Sequence, residues 1–206
     1  MEHILNYFGA MPQEMQQQFE VMLRLYPEWN EKINVISRRD IDNLEVNHIL
    51  HSLSIAHFAD FAPCSHVMDL GTGGGFPALP LAVAYPDVTF HLVDRIGKKL
   101  RVAQDIAQQA GINNVTFQHG DVREVKGTFD FVISRAVMPL PDMVPLVKRL
   151  IDKEQRNSIP NGLICLKGGD LTEELRPYAR KVTVVDLSDF LQEPYFKTKK
   201  LVFLPL

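Results

Sequence analysis

The stretch VMDLGTGGGFPALPLA, residues 67–82, constrains this chain more than any other. An apolar run ends on Asp69, passes four glycines within five residues and enters a second apolar run. Gly71, Gly73, Gly74 and Gly75 carry no Cβ, so the backbone there can take unusual φ/ψ values and pass close to a ligand. Pro77 suits the first turn of the helix that follows, whose free N–H groups point back toward the turn. A strand, a glycine turn and a helix in that order form a nucleotide cradle. No Lys-Ser or Lys-Thr pair follows the glycines, which argues against a triphosphate-binding loop. A dinucleotide and S-adenosylmethionine (SAM) remain as ligands.

Glycine spacing does not separate these two, because Gly73, Gly75 and Ala78 also fit the G-x-G-x-x-A dinucleotide fingerprint. The acidic residues do. Asp69 stands two residues before Gly71, where a carboxylate attracts the ammonium of an amino-acid ligand such as the methionine part of SAM and repels a pyrophosphate. The next apolar run, TFHLVD, ends at Asp94, about 20 residues beyond the glycines, where an acidic side chain accepts hydrogen bonds from ribose hydroxyls. A third run, VTFQHGD, ends at Asp121, and Val122 and Arg123 then offer an apolar surface and a polar group to an adenine ring. Three carboxylates ending three successive strands favour SAM over the nicotinamide cofactor of an NAD-dependent reductase.

Residues 1–60 read as a helical extension, with Phe19, Met22, Leu23 and Tyr26 at helical spacing and a second amphipathic segment from about residue 40 to 59. Residues 61–206 read as the ligand-binding domain. Short apolar runs at 66–70, 89–94, 115–119, 129–134, 162–167, 181–187 and 200–204 alternate there with helical stretches. That order implies an α/β fold built on a doubly wound, mostly parallel seven-stranded sheet. The loop SDFLQEPYFKTK is short enough to make the last two strands an antiparallel hairpin at the sheet edge. Ligands bind beyond the carboxyl ends of such strands, so Asp69, Asp94 and Asp121 are expected to face one crevice.

The longest apolar run, around residues 76–85, is broken by Pro77 and Pro80 and is too short to span a bilayer. No basic segment followed by a hydrophobic stretch opens the chain, so a cytoplasmic protein is expected. Cys64 and Cys165 lie about a hundred residues apart without zinc-site spacing, and reduced packing residues are expected. His48 and His51, three apart on a predicted helix, lack a third ligand, so no metal is expected. A net charge of −3 argues against general coating of polyanions but leaves room for a local basic surface.

Six segments, in order, carry a resemblance over nearly the whole chain: WNEKINVISRRD at 29–40, NHILHSL at 47–53, DLGTGGGFPALPLA at 69–82, LVDRIGKKLR at 92–101, FDFVISRA at 129–136 and LKGG at 166–169. The chain resembles the RsmG (GidB) family, bacterial methyltransferases that place a methyl group on N7 of one guanine in 16S rRNA of the small ribosomal subunit. The resemblance implies a class I SAM-dependent methyltransferase fold with an N-terminal helical extension. Carried over by position, Gly71, Phe76, Val122, Arg123 and Arg135 would contact SAM, beside Asp69, Gly73, Gly75, Asp94 and Asp121. Two positions depart from the family. His51 stands where the family usually has aspartate, and GGGFPA replaces GPGFPG or GPGLPG.

Guanine N7 carries an in-plane lone pair and no proton, so its methylation needs no general base, and none is obvious in the chain. Arg135 is the expected positioning group, because a guanidinium can bond guanine O6 or carboxylates near the methyl donor. The expected contacts to the RNA backbone are Arg38, Arg39, Lys98, Lys99, Arg101 and Lys167, whereas Lys197, Lys199 and Lys200 read first as a solvated face. Trp29 and Tyr26 read as packing of the extension. The expected protein is a monomer acting on 16S rRNA or the small subunit. An NAD-dependent reductase and a non-catalytic ribosome-assembly factor are the alternatives.

Overall fold

In a computed structural model that describes all 206 residues, each of the seven short runs expected as strands becomes one. These are β1 (His66–Leu70), β2 (Thr89–Asp94), β3 (Val115–His119), β4 (Phe131–Arg135), β5 (Gly162–Gly168), β6 (Thr183–Asp186) and β7 (Lys199–Pro205). They form one sheet of order β3-β2-β1-β4-β5-β7-β6. The β1–β5 pairings are all parallel. Strand β7 runs antiparallel to β5 and to β6, so the reversed strand lies one place in from the edge.

Strands β1, β4 and β5 are buried along most of their length, as a parallel sheet covered on both faces requires. Alternate residues feed opposite layers. Val67, Ile133 and Ile164 join the larger core, and Met68, Val132 and Leu163 the smaller. The larger core also takes Ile4, Phe19, Met22 and Tyr26, so the first helices pack into the same apolar mass as the sheet.

Helices α1 (Glu2–Phe8) and α2 (Gln13–Asn30) are followed by a mostly irregular segment and then by a π-helical turn, Glu45–Leu50, continuous with α3 (His51–Phe58). Crossovers are made by α4 (Ala78–Ala84), α5 (Gly97–Gln109) and α6 (Leu140–Val147), with a one-turn α7 (Thr172–Leu175) after β5. Between β3 and β4 the helix expected from alternation shrinks to the single turn Val122–Glu124. Tyr26, fully buried, donates its hydroxyl to the Gly74 carbonyl at 2.7 Å, and Trp29 donates its indole N–H to Asp105 of α5 at 2.7 Å. Both aromatics therefore pin α2 to the glycine turn and its neighbour. No helix is long and apolar enough to cross a membrane.

The order of strands reverses between β1 and β4. A doubly wound sheet leaves a crevice at that switch point, and Gly71 and Arg135 stand at its two lips.

Candidate active site

The glycine turn is built on Asp69. Its Oδ2 accepts from Thr72 Oγ1 at 2.6 Å and from the Ala78 amide at 3.1 Å, while Oδ1 is buried with no partner. Burial pushes this carboxyl up to about 7. Asp69 was expected at the ligand; it lies beneath the turn instead, fully buried. It locks the turn to the start of α4. Gly71, Gly73 and Gly75 all have positive φ, at 69°, 57° and 104°. A Cβ on Gly75 would lie 2.5 Å from Leu79, so this glycine serves packing within the molecule, whereas a Cβ on Gly73 would meet nothing within 4 Å. Asp94 takes the Gly73 amide on Oδ2 and the Ile96 amide on Oδ1, each at 2.7 Å.

Above the turn opens a cleft of about 490 Å³ whose walls include Gly71, Asp94, Ile96, Lys99, Val122 and Met138. Asp121 caps the Val122–Glu124 turn and accepts from the Arg123 amide and Nε, each at 2.9 Å, while Arg95 pairs with its other oxygen. Arg123 first, then Arg95, hold the Asp121 carboxyl well below the usual carboxylate range. Arg123 is exposed and spent on Asp121. It buttresses the turn rather than lining the cleft. The donor set fits SAM. Val122 and Ile96 would floor a flat ring, and Asp94 keeps free lone pairs that would suit ribose hydroxyls.

A second cleft, about 480 Å³, lies on the other side of the segment 136–139, and Val137 and Met138 line both. Arg135 ends β4 in this second cleft. Its guanidinium donates to His48 Nδ1 at 2.8 Å and to the Asn47 carbonyl at 3.4 Å, and lies 4.9 Å from the centroid of the Phe76 ring. Phe76 itself is buried, between Tyr26, His48 and Arg135. Arg135 and Phe76, carried over as SAM contacts, thus form a stacked pair whose open side is the second cleft.

The π-helical turn supplies Asn47 and His48 and aims the following residue, His51, at the same place. His51 is 4% exposed; its Nδ1 lies 3.2 Å from the Tyr195 hydroxyl, and its Nε2 is buried without a partner. Desolvation lowers the pKa of both histidines, that of His48 to about 3. Asp40, Tyr195 and Lys199 complete the wall, with the Lys199 ammonium 4.6 Å above the Tyr195 ring. Sequence reasoning missed Asp40 and Tyr195, and it read Lys199 first as part of a solvated face.

Lys167 also differs from expectation. Its ammonium lies 2.6 Å from Glu174 and donates to the Met138 carbonyl at 2.9 Å, so it braces the segment between the clefts rather than reaching for phosphate. Arg38, Arg39, Lys98 and Arg101 are exposed, on the irregular segment after α2 and on α5, and Lys99 is half-buried at the first cleft. Cys165 is buried and Cys64 is exposed.

The family model described as GidB, rRNA small subunit methyltransferase G, matches residues 15–196. The chain is similar to the ribosomal RNA small subunit methyltransferase G of Bacteroides thetaiotaomicron, at 53% identity over 98% of each chain. Against the protein of the same name from Porphyromonas gingivalis the identity is 50%, over 100% of this chain and 93% of that one. Among solved structures it resembles the [4+2]-cyclase SpnF, with a TM-score of 0.57 at 15% identity, covering 77% of this chain and 81% of that one. It also resembles precorrin-6y C5,15-methyltransferase from Geobacter metallireducens, with a TM-score of 0.53 at 15% identity, covering 74% and 77%. At such identities the likeness is one of fold.

Proposed function

Because this chain belongs to the rRNA small subunit methyltransferase G family, and is thereby a SAM-dependent methyltransferase of small-subunit ribosomal RNA, we propose that it methylates N7 of one guanine in 16S rRNA. We further propose that it acts as a monomer in the cytoplasm. Membership in this family favours neither a nicotinamide-dependent reductase nor a non-catalytic assembly factor.

The observation that carries this reading is the state of Arg135. Its guanidinium touches only neutral groups, His48, Asn47 and the Phe76 ring, and it faces a cleft separated from the cofactor cleft by Val137 and Met138 alone. A permanently charged fork without a carboxylate partner is suited to an incoming acceptor such as guanine O6. SAM supplies an electrophilic methyl group on sulfur, which the N7 lone pair takes by in-line displacement. No side chain has to remove a proton. The protein's contribution is then alignment and exclusion of water: Arg135 holds O6, Phe76 and His48 hold Arg135, and the 136–139 segment sets the distance between the clefts. The base has to leave its stack to present this edge.

Residues 61–206 form the SAM-binding unit in this reading, and residues 1–60 the unit that helps hold RNA. Arg38, Arg39, Lys98, Lys99 and Arg101, with Lys199 added at the cleft, contact the backbone and position the RNA without specifying the base.

The test is incubation of the protein with SAM and small subunits lacking N7 methylation, then borohydride and aniline cleavage of the 16S rRNA read by primer extension. A SAM-dependent stop at one guanine is expected. Arg135→Lys, which loses the planar fork, is expected to cut kcat/KM by about 100-fold or more with SAM affinity kept. No stop on subunits or on naked 16S rRNA, with SAM bound, removes the proposed target.

A further inference from the structure

The second cleft holds charges of both signs that form no ion pair with one another. Arg135, Lys199 and Asp40 all line it, and none of the three takes part in any of the molecule's ion pairs. Asp40 is fixed by neutral donors. Its Oδ2 accepts from Ser37 Oγ at 2.5 Å and its Oδ1 from Asn47 Nδ2 at 3.2 Å. The Ser37 hydroxyl is the main influence keeping this carboxyl below the usual range. A carboxylate has about four acceptor positions, so each oxygen of Asp40 keeps one free while its orientation is set from behind by Ser37 and by Asn47, which is itself buried.

A ligand that satisfies this cleft must bring acceptors to the guanidinium and adjacent donors to the carboxylate. Among the four RNA bases only guanine does both. It has O6 and N7 on one edge and N1–H beside N2–H₂ on the next. Adenine and cytosine would turn a ring-nitrogen lone pair toward the carboxylate, and uracil offers one N–H flanked by two carbonyl oxygens.

We propose that Asp40 is the residue that selects the target base, accepting N1–H and N2–H₂ of the guanine while Arg135 takes O6. The assignment rests on the N7-guanine reading given above. It also carries a consequence for the substrate: the Watson–Crick edge is occupied by protein, so the guanine must be unpaired when it is methylated.

The experiment uses the full chain and small subunits reconstituted with 16S rRNA carrying guanosine or inosine at the mapped target position. Inosine lacks only the N2 amino group. Wild-type protein is expected to prefer guanosine about 10-fold or more in kcat/KM, as a site built to bond an N–H₂ rejects an analogue without it. Asp40→Asn places an amide N–H₂ where an acceptor stood. It is expected to lose about 100-fold on guanosine and to methylate inosine as well as or better than guanosine, a reversal that misfolding cannot produce. Unchanged SAM affinity by calorimetry accompanies it.

Equal rates on guanosine and inosine for the wild type, or an Asp40→Asn protein that keeps the wild-type preference or shows none of the reversal, overturn the role of Asp40. Mass spectrometry of the wild-type product separates this from failure of the wider reading. A methylated base other than 7-methylguanine overturns both, whereas 7-methylguanine without base discrimination overturns Asp40 alone.

Discussion

The Arg135 guanidinium donates to Nδ1 of His48 across 2.8 Å. Because arginine stays protonated, that nitrogen must be an acceptor, and the imidazole is neutral with its proton on Nε2. Burial, and then the Arg135 charge, hold the His48 pKa near 3. The unfolded chain takes up a proton below about 6.5 that the folded chain refuses, so this group's share of stability is lost as pH falls below that value. Asp69 works in the opposite sense. Its folded pKa of about 7 exceeds the ordinary 3.8, so the folded form gains stability as pH falls through that window. The two are separated by comparison with His48→Gln. The stability difference between wild type and variant, from urea unfolding, is expected to shift against the wild type between pH 7.5 and pH 5. A difference that is flat with pH refutes the assignment.

Gly73 and Gly75 have unlike reasons for being glycine, and alanine at each position separates them. A Cβ on Gly73 meets nothing within 4 Å at φ 57°, so Gly73→Ala carries only a left-handed backbone cost of about 1–2 kcal/mol. Gly73 belongs to the turn that cradles SAM in the proposed reading, and SAM affinity is expected to fall at least 10-fold. A Cβ on Gly75 lies 2.5 Å from Leu79 at φ 104°, so overpacking adds about 1–3 kcal/mol to the strain. Urea unfolding and calorimetry with SAM check both. Equal stability of the two variants contradicts this division.

Most of the fold was legible because the sheet is buried on both faces, which makes its strands short apolar runs that interrupt the sequence visibly. Leu163, Ile164, Cys165 and Leu166 announce β5 without any neighbour's help. The glycine turn was legible for the same local reason, since Gly71 to Gly75 and the Asp94 that accepts the Gly73 amide lie within one turn and the adjoining strand end. The second cleft was not. Asp40, His48, His51, Tyr195 and Lys199 come from segments up to about 160 residues apart, and a π-helical turn has no apolar period to reveal it. The sequence also did not show that Asp69 bonds Thr72 and the Ala78 amide or that Lys167 pairs with Glu174, because a charge at a strand end reads the same in sequence whatever neighbouring loop it meets.

Asp94 ties the glycine turn to the wall of the first cleft, where the proposed reading puts the ribose. Its oxygens accept the amides of Gly73 and Ile96 at 2.7 Å each and keep lone pairs toward the cleft. Asp94→Ala removes both the ribose contact and the brace, and hydrogen bonds to a charged group are worth about 1.5–3 kcal/mol each. SAM affinity is expected to fall about 10- to 100-fold, with Asp94→Asn intermediate because it retains one acceptor. Calorimetry of the three proteins decides, and unchanged affinity in Asp94→Ala removes the ribose assignment.

The wall between the two clefts hangs on one carboxylate oxygen. Glu174 Oε1 lies 2.6 Å from the Lys167 ammonium and accepts the Leu140 amide at 2.7 Å, and Lys167 in turn donates to the Met138 carbonyl at 2.9 Å. Only 9% of the Lys167 side chain is exposed. Glu174→Ala strands that ammonium with a single carbonyl and leaves the first amide of α6 without its partner, and leaving a partly buried donor unsatisfied costs about 1–3 kcal/mol. Lys167→Met removes the charge that needed pairing and fills the space, so its cost is expected to be smaller. Because Val137 and Met138 line both clefts, loosening their segment weakens SAM binding as well as stability, and in the same order: wild type, Lys167→Met, Glu174→Ala. Urea unfolding and SAM calorimetry on the three proteins test that order. A Glu174→Ala protein as stable as Lys167→Met shows that the ion pair does not hold the wall.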